Sequence, residues 1–539
     1  MKLDRLQEYF TVFCVTIAGV LIGIYCGQLA AEGNMAKLGY IAASIVAMII
    51  CLTMKTRIWL LIPLAWDLRT QSYLLPLPFG VRDVFILLTF GTFLVYTALK
   101  LVRKKPKHDF LDLLLWINIL YLLSVYLRNP VGMLALGNDK IGGRPYYLTI
   151  IALMGYWVLS RVTLTVKQGR TVPIAILIGA MLVSTMSIVA YKIPATVPVL
   201  SHIYAGVEKS TFDETGQEGD YTQDAAENDG DPDSVEGRIG TLLDFGIVAM
   251  AFLCAFYTPM TLFNPLYFVR FCAFMLAWVA ILYSGHRIGI VTALLSILVS
   301  SYFRKGIMEV FKIVGFFLVP ALAALILLQG TLFQLPLVAQ RALSVLPGNW
   351  NRVAVENAQA STDWRFEMWD RALHGNKYIK DKFLGDGFGV SQKAMDSVRA
   401  LTNEGKTQEA GMEGQLVTGG FHSGPLTTIR VVGGVGTFLF YIWIIWLSRF
   451  AVKLIVSSRN TPFFPIALFF GVGVFVQPFF YTFVFGGFDV ELPQTILNAG
   501  MLKLIYESIQ VYKADQKEAE VIQTTRVRKA MGGFAPVNA

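Results

Sequence analysis

The stretch "FHSGPLTTIRVVGGVGTFLFYIWIIWL" (residues 421–447) passes from a polar loop straight into an apolar run long enough to cross a bilayer. A histidine, His422, stands at its start and an arginine, Arg430, inside its first turns. Polar groups at the lip of such a helix are costly, so the stretch raises both a fold and a functional question. It is not isolated. Only 15% of the 539 residues are charged and 55% are hydrophobic, and the mean hydropathy is +0.55. A soluble domain carries roughly 25% charged residues.

Apolar runs of this grade recur at 9–31, 36–53, 80–99, 109–127, 146–164, 172–193, 239–260, 264–284, 287–303, 307–328, 425–448, 461–483 and 493–511. Each is long enough to span as a helix, and unpaired backbone in lipid leaves helices as the form these runs take. The alternation of an outer-membrane barrel is absent. A shorter piece at 57–66, with Pro63, reads as a half-length or re-entrant segment. The fold class that follows is all-α: a polytopic membrane bundle of about 12–14 transmembrane helices with a large, mostly helical periplasmic loop. The run at 9–31 is longer than a signal-peptide core and lacks a clean cleavage site, so it reads as a retained first helix.

The net charge of +9 hides two opposite regions. Basic residues gather in short loops, at Lys100 to Lys107, Arg161 to Arg170, Arg304 with Lys305, and Arg449 to Arg459, and in the tail around Arg526 to Lys529. Strict alternation from the 100–108 loop puts all five on one side, which the positive-inside rule makes cytoplasmic. The expected organisation is then N-terminal membrane helices over 1–193, an acidic periplasmic loop over 194–238, central helices over 239–328, a large periplasmic loop over 329–424, C-terminal helices over 425–511 and a cytoplasmic tail over 512–539. No basic patch interleaved with aromatics points to nucleic acid. All five cysteines lie in apolar runs, without metal spacing or CxxC pairs, and read as small buried hydrophobes.

The acidic loop carries eleven acids between Glu208 and Glu236 against Lys209 alone. Its "ENDGDPD" does not fit the spacing of a calcium loop, so it reads as a solvated, partly disordered segment. The loop over 329–424 is mixed in charge, and its "TDWRFEMWDRAL" places Trp364, Met368 and Trp369 on one helical face. A loop that long inside a compact protein is usually functional.

Four polar residues fall at the outer ends of these elements. Arg238 in "VEGRIGTLL" closes the acidic loop, and Arg287 in "LYSGHRIGIV" sits in a short turn between two spanning runs. Arg365 lies on the loop helix, and His422 precedes the run quoted first. Any one alone reads as an interfacial snorkelling residue. Together, three arginines and a histidine on one face suit anion handling, since arginine grips phosphate bidentately and histidine exchanges a proton near neutrality. Arg430 lies about two turns past His422 and could line a cavity or pair with an acid such as Asp83. The glycines Gly433, Gly434 and Gly436 suit close helix packing better than phosphate binding.

These segments resemble a known family. "SGHRIGIVTALLSI" resembles the Ser-x-Ser-Arg-Gly segment of bacterial O-antigen ligases and polymerases. "WRFEMWDRALHGNKYIKDKFLGDGFGV" is similar to their Arg-x-x-x-Trp-x-x-Ala stretch with a Gly-x-Gly-x-Gly close at Gly385, Gly387 and Gly389. "HSGPLTTIRVVGGVG" resembles their His-Asn-x-x-Leu opening of a helix, with Ser423 in place of the asparagine. His286 departs from a small residue, and the segment after Arg238 lacks the usual Asn-Pro. The resemblance implies a membrane glycosyltransferase of the cytoplasmic (inner) membrane, needing no metal, cofactor or nucleotide sugar. It would move a glycan from undecaprenyl diphosphate, at the periplasmic face, to a hydroxyl on a lipid A core, a second repeat unit or a protein glycan. The activity is ligase-like; a polymerase of the same superfamily or a lipid-linked glycan transporter are the alternatives. His422 and Arg287 would be catalytic, with Arg238, Arg365 and Trp369 holding diphosphate or glycan.

Overall fold

In a computed structural model of the chain, residues 53–70, 79–100, 109–130, 143–207, 239–390 and 392–531 are described, together with parts of the first 49. Arg238 and the acidic stretch 208–236 lie outside the described residues. The described residues form helices and loops with no named strand.

Among the described residues, seven helices are long and apolar enough to cross a membrane: Val81–Ala98, Phe110–Arg128, Val166–Lys192, Arg287–Lys305, Ile307–Leu328, Gly424–Ser458 and Phe464–Phe483. Two shorter apolar helices, Thr241–Phe256 and Phe268–Tyr283, and the helix Arg144–Leu159 pack among them. The 493–511 run forms part of a single long helix, Phe488–Met531. The piece at 57–66 is a short 3-10 and α-helical segment, Lys55–Leu60 then Leu61–Leu64, whose Ile58, Trp59 and Ile62 are fully enclosed. The chain is a multi-pass membrane protein.

The two largest packed cores among the described residues hold most of the bundle. The larger joins Phe110–Arg128, Arg144–Leu159, Gly424–Ser458, Phe464–Phe483 and Phe488–Met531 around Trp443, Phe440 and Tyr481. The smaller joins Thr241–Phe256, Phe268–Tyr283 and Arg287–Lys305 around Met250, Phe274 and Ile297. Lipid tails are as apolar as leucine, so such helices associate by close fit and internal polar bonds. Gly289 shows the fit: a Cβ there would stand 2.5 Å from Leu243 Cδ1 and 2.9 Å from Ile281 Cγ2. Lys503 shows the polar bonds. It is 4% exposed, and its ammonium donates to Asp112 Oδ2 at 2.6 Å while Tyr156 Oη donates to Asp112 Oδ1. By contrast Ile307–Leu328 is almost wholly exposed, the pattern of a helix facing lipid at the rim.

The long loop sits on one end of the bundle. Its helix Arg352–Leu373 buries Met368 and Ala372 against Met412, Leu416, Phe421 and Leu426, so the loop has a small core of its own that reaches the first turn of Gly424–Ser458. A second attachment is made by backbone alone. The helix Gly424–Ser458 is interrupted at Gly433, where φ is +65° and ψ −176°. There the loop segment 382–387 lies on the helix main chain. Gly434 N donates to Lys382 O (2.9 Å), Val435 N to Phe383 O (3.2 Å), Asp386 N to Arg430 O (2.8 Å) and Gly387 N to Val431 O (2.9 Å). Gly385, with φ +87°, faces Gly433 across this contact, and a Cβ on it would meet Gly433 N at 2.5 Å. Gly385 and Gly433 serve close approach of a loop backbone to a helix, where helix-on-helix packing was expected of Gly433, and they fix where His422 and Arg430 stand.

Candidate functional site

His422 sits in the left-handed region, φ +50°, one residue before the Ser423 N-cap of Gly424–Ser458. Such a backbone is held only where its surroundings over-determine it, and it recurs at functional sites. Here the determinants are rings. The imidazole lies between Trp364 (centroids 5.7 Å apart) and Phe485 (5.4 Å). Phe421 beside it is fully buried, and its carbonyl accepts the Trp369 indole N–H at 2.7 Å. Trp369 therefore fastens the segment that carries His422 and packs in the loop core; its indole N–H is spent on the protein itself.

His422 lines a cavity of about 170 Å³ with Thr427, Arg430, Phe485, Asp489 and Glu491. The two acids come from the start of Phe488–Met531, and they are site residues that the sequence reading missed. Glu491 is oriented by Gln477, whose amide donates to Oε1 at 2.5 Å.

Arg430 is 5% exposed. Its guanidinium donates to Val417 O at 2.7 Å, Thr418 O at 3.2 Å and Gly389 O at 3.4 Å. It ties the loop end to the membrane helix through carbonyls. The suggested pairing with Asp83 does not form: Asp83 Oδ2 accepts from Gly80 N at 3.0 Å and caps its own helix.

Arg287 opens the helix Arg287–Lys305 after a turn at Gly285, where φ is +67°. Its guanidinium donates to Ala358 O, 3.0 Å away on the loop helix. Ala358 precedes Trp364 by six residues, about 9 Å of helical rise. Arg365, part-buried, follows Trp364 directly. One loop helix thus connects Arg287, Arg365 and the His422 slot. Gly240, the second residue after Arg238, passes beside this turn: a Cβ on it would lie 3.9 Å from His286 Cε1.

Two further polar cavities were not legible in the sequence. One, of about 280 Å³, lies inside the bundle and is lined by Asp67, Arg69, Asp244, Thr292, Ser296 and Gln494. Arg69 pairs with Asp244 at 3.4 Å, and Arg82 donates to Gln494 at 2.9 Å. The other, of about 670 Å³, lies between the loop and the end of Phe110–Arg128. On its wall Glu413 accepts from Lys377 Nζ and Tyr378 Oη, both at 2.7 Å, and this bond raises the Lys377 ammonium above its ordinary pKa.

The O-antigen ligase family model matches residues 272–441 of this chain. Over that segment, about a third of the chain, the protein is similar to the O-antigen ligase family. No curated protein matches it. The matched segment begins within Phe268–Tyr283 and ends within Gly424–Ser458, so it holds Arg287, Arg365, Trp369, His422 and Arg430. Asp489 and Glu491 lie beyond the matched segment, yet they line the His422 cavity.

Proposed function

We propose that the chain transfers a glycan from undecaprenyl diphosphate to an acceptor hydroxyl at the periplasmic face of the bacterial inner membrane, as a ligase. The observation that carries this reading is His422, held in a strained backbone between two rings and facing a cavity with two carboxylates. A histidine so placed suits moving a proton at a reacting hydroxyl.

In the reaction the acceptor oxygen attacks the anomeric carbon and the bond from that carbon to the diphosphate oxygen breaks. The electron pair leaves on the diphosphate, and the hydroxyl proton passes to His422 Nδ1 or Nε2. Asp489 or Glu491 orients the hydroxyl. Arg287 and Arg238 stabilise the charge that grows on the diphosphate, which is stabilisation specific to the transition state. Arg365 binds phosphate or sugar beside them. Arg287 already holds a loop carbonyl, so substrate either shares its five donors or takes that carbonyl's place. Trp369 supports this site through its bond to Phe421 O.

The test is complementation. A strain deleted for the gene receives wild-type chain, His422→Ala or Arg287→Ala, and mature envelope glycan is read on a gel. Wild type restores it and both variants do not, at equal membrane abundance. Full restoration by His422→Ala refutes the reading.

A further inference from the structure

The cavity at His422, about 170 Å³, is smaller than the roughly 300–1,000 Å³ of sites that enclose a whole ligand. It has room for a reacting end only. The adjoining cleft of about 670 Å³ has room for several sugar units. Arg430 lines both, and its bonds to Gly389, Val417 and Thr418 form the partition between them.

The described lining of the cleft is unbalanced in charge. Arg128, Lys377, Lys380, Lys393 and Arg430 stand against Asp386 and Glu413. Both acids are already occupied. Asp386 accepts the backbone N–H of Lys380 (2.7 Å) and of Asp381 (3.0 Å), and Glu413 holds Lys377 and Tyr378. Five cations against two carboxylates leave the described lining with a formal charge of +3. Arg430, almost fully buried, keeps an Nε with no hydrogen-bond partner. Tyr378 adds an aromatic face, fixed by its hydroxyl bond to Glu413. Cations beside a fixed ring suit a sugar that carries acid groups. The carrier's diphosphate is tethered to the bilayer by its lipid, whereas Lys377, Lys380 and Lys393 belong to the loop and are exposed.

We propose that this cleft is the subsite for the non-reacting part of the glycan, and that the glycan is acidic, carrying carboxylates on its sugar units. The proposal rests on the transferase reading but is tested by binding alone. Purified full chain in nanodiscs is titrated with fluorescent tetragalacturonate and with its carboxyl-reduced, neutral counterpart, and anisotropy is followed. The acidic oligosaccharide binds at least about tenfold tighter, and its binding weakens as salt screens the exposed lysines. The double variant Lys380→Glu, Lys393→Glu removes that preference, while His422→Ala binds as wild type does. Equal binding of the two oligosaccharides overturns the proposal, and so does unchanged binding to the double variant. Displacement of the acidic probe by inorganic diphosphate at equal affinity overturns it too, because it assigns the cleft to the carrier. Normal transfer by His422→Ala bears on the transferase reading and leaves this binding result untouched.

Discussion

Gly433→Ala is the sharpest single perturbation of the site, because it adds one carbon where two backbones touch. At φ +65° and ψ −176° an L-residue carries strain of about 1–3 kcal/mol. The new Cβ would also lie 2.3 Å from Phe383 O and 2.5 Å from Gly385 N, both main-chain atoms that cannot swing away. The cheapest relief is for segment 382–387 to lift from the helix. That breaks the four backbone bonds to residues 430–435, each worth about 0.5–1.5 kcal/mol net. The main-chain clash closes the strained route, so the cost is that of separation, on the order of 2–6 kcal/mol for four bonds. The bundle helices keep their own packing, so the damage stays local. Hydrogen exchange on the purified protein should show the amides of Asp386, Gly387, Gly434 and Val435 losing protection by about two to three orders of magnitude, with helix Phe110–Arg128 unchanged. Transfer activity should fall with it, since His422 and Arg430 stand on the displaced helix start. Wild-type protection at Asp386 and Gly387 in the variant would show that the loop stays on the helix.

Other outcomes follow from single contacts. Lys503→Met leaves Asp112 buried with its cation removed, and should cost about 3–5 kcal/mol; thermal unfolding in detergent checks it, and an unchanged Tm contradicts it. Trp369→Phe keeps the ring packing and loses the bond to Phe421 O, worth about 1–3 kcal/mol. It should lower kcat more than it raises KM, and steady-state transfer kinetics decide that. Arg287→Lys keeps the charge but loses the fork geometry. It should retain only a small part of Arg287 activity in a complementation assay, while full activity would make Arg287 a simple counter-charge.

The spanning helices were legible because lipid imposes one rule on every backbone. The run expected at 307–328 is the helix Ile307–Leu328, and that expected at 461–483 is Phe464–Phe483. The placement of Arg287 and His422 near one loop helix was partly legible, since both stand in short turns at helix starts. What sequence could not supply is long-range pairing. Arg430 reads as a charge in need of an acid, yet three carbonyls hold its terminal nitrogens. Asp489 and Glu491 look like ordinary first-turn acids of a helix, and only the fold brings them to His422. The Gly385 to Gly433 contact joins residues far apart in sequence through main-chain atoms, which carry no residue signal beyond glycine itself.

The central claim is best tested on the carrier lipid itself. Undecaprenyl diphosphate glycans are extracted from the deletion strain carrying wild type or His422→Ala and weighed by mass spectrometry. Long glycan chains should accumulate on the carrier in the variant alone. Single repeat units accumulating instead would replace ligase by polymerase within the same chemistry. A carrier pool indistinguishable from wild type, with envelope glycan intact, would contradict the account.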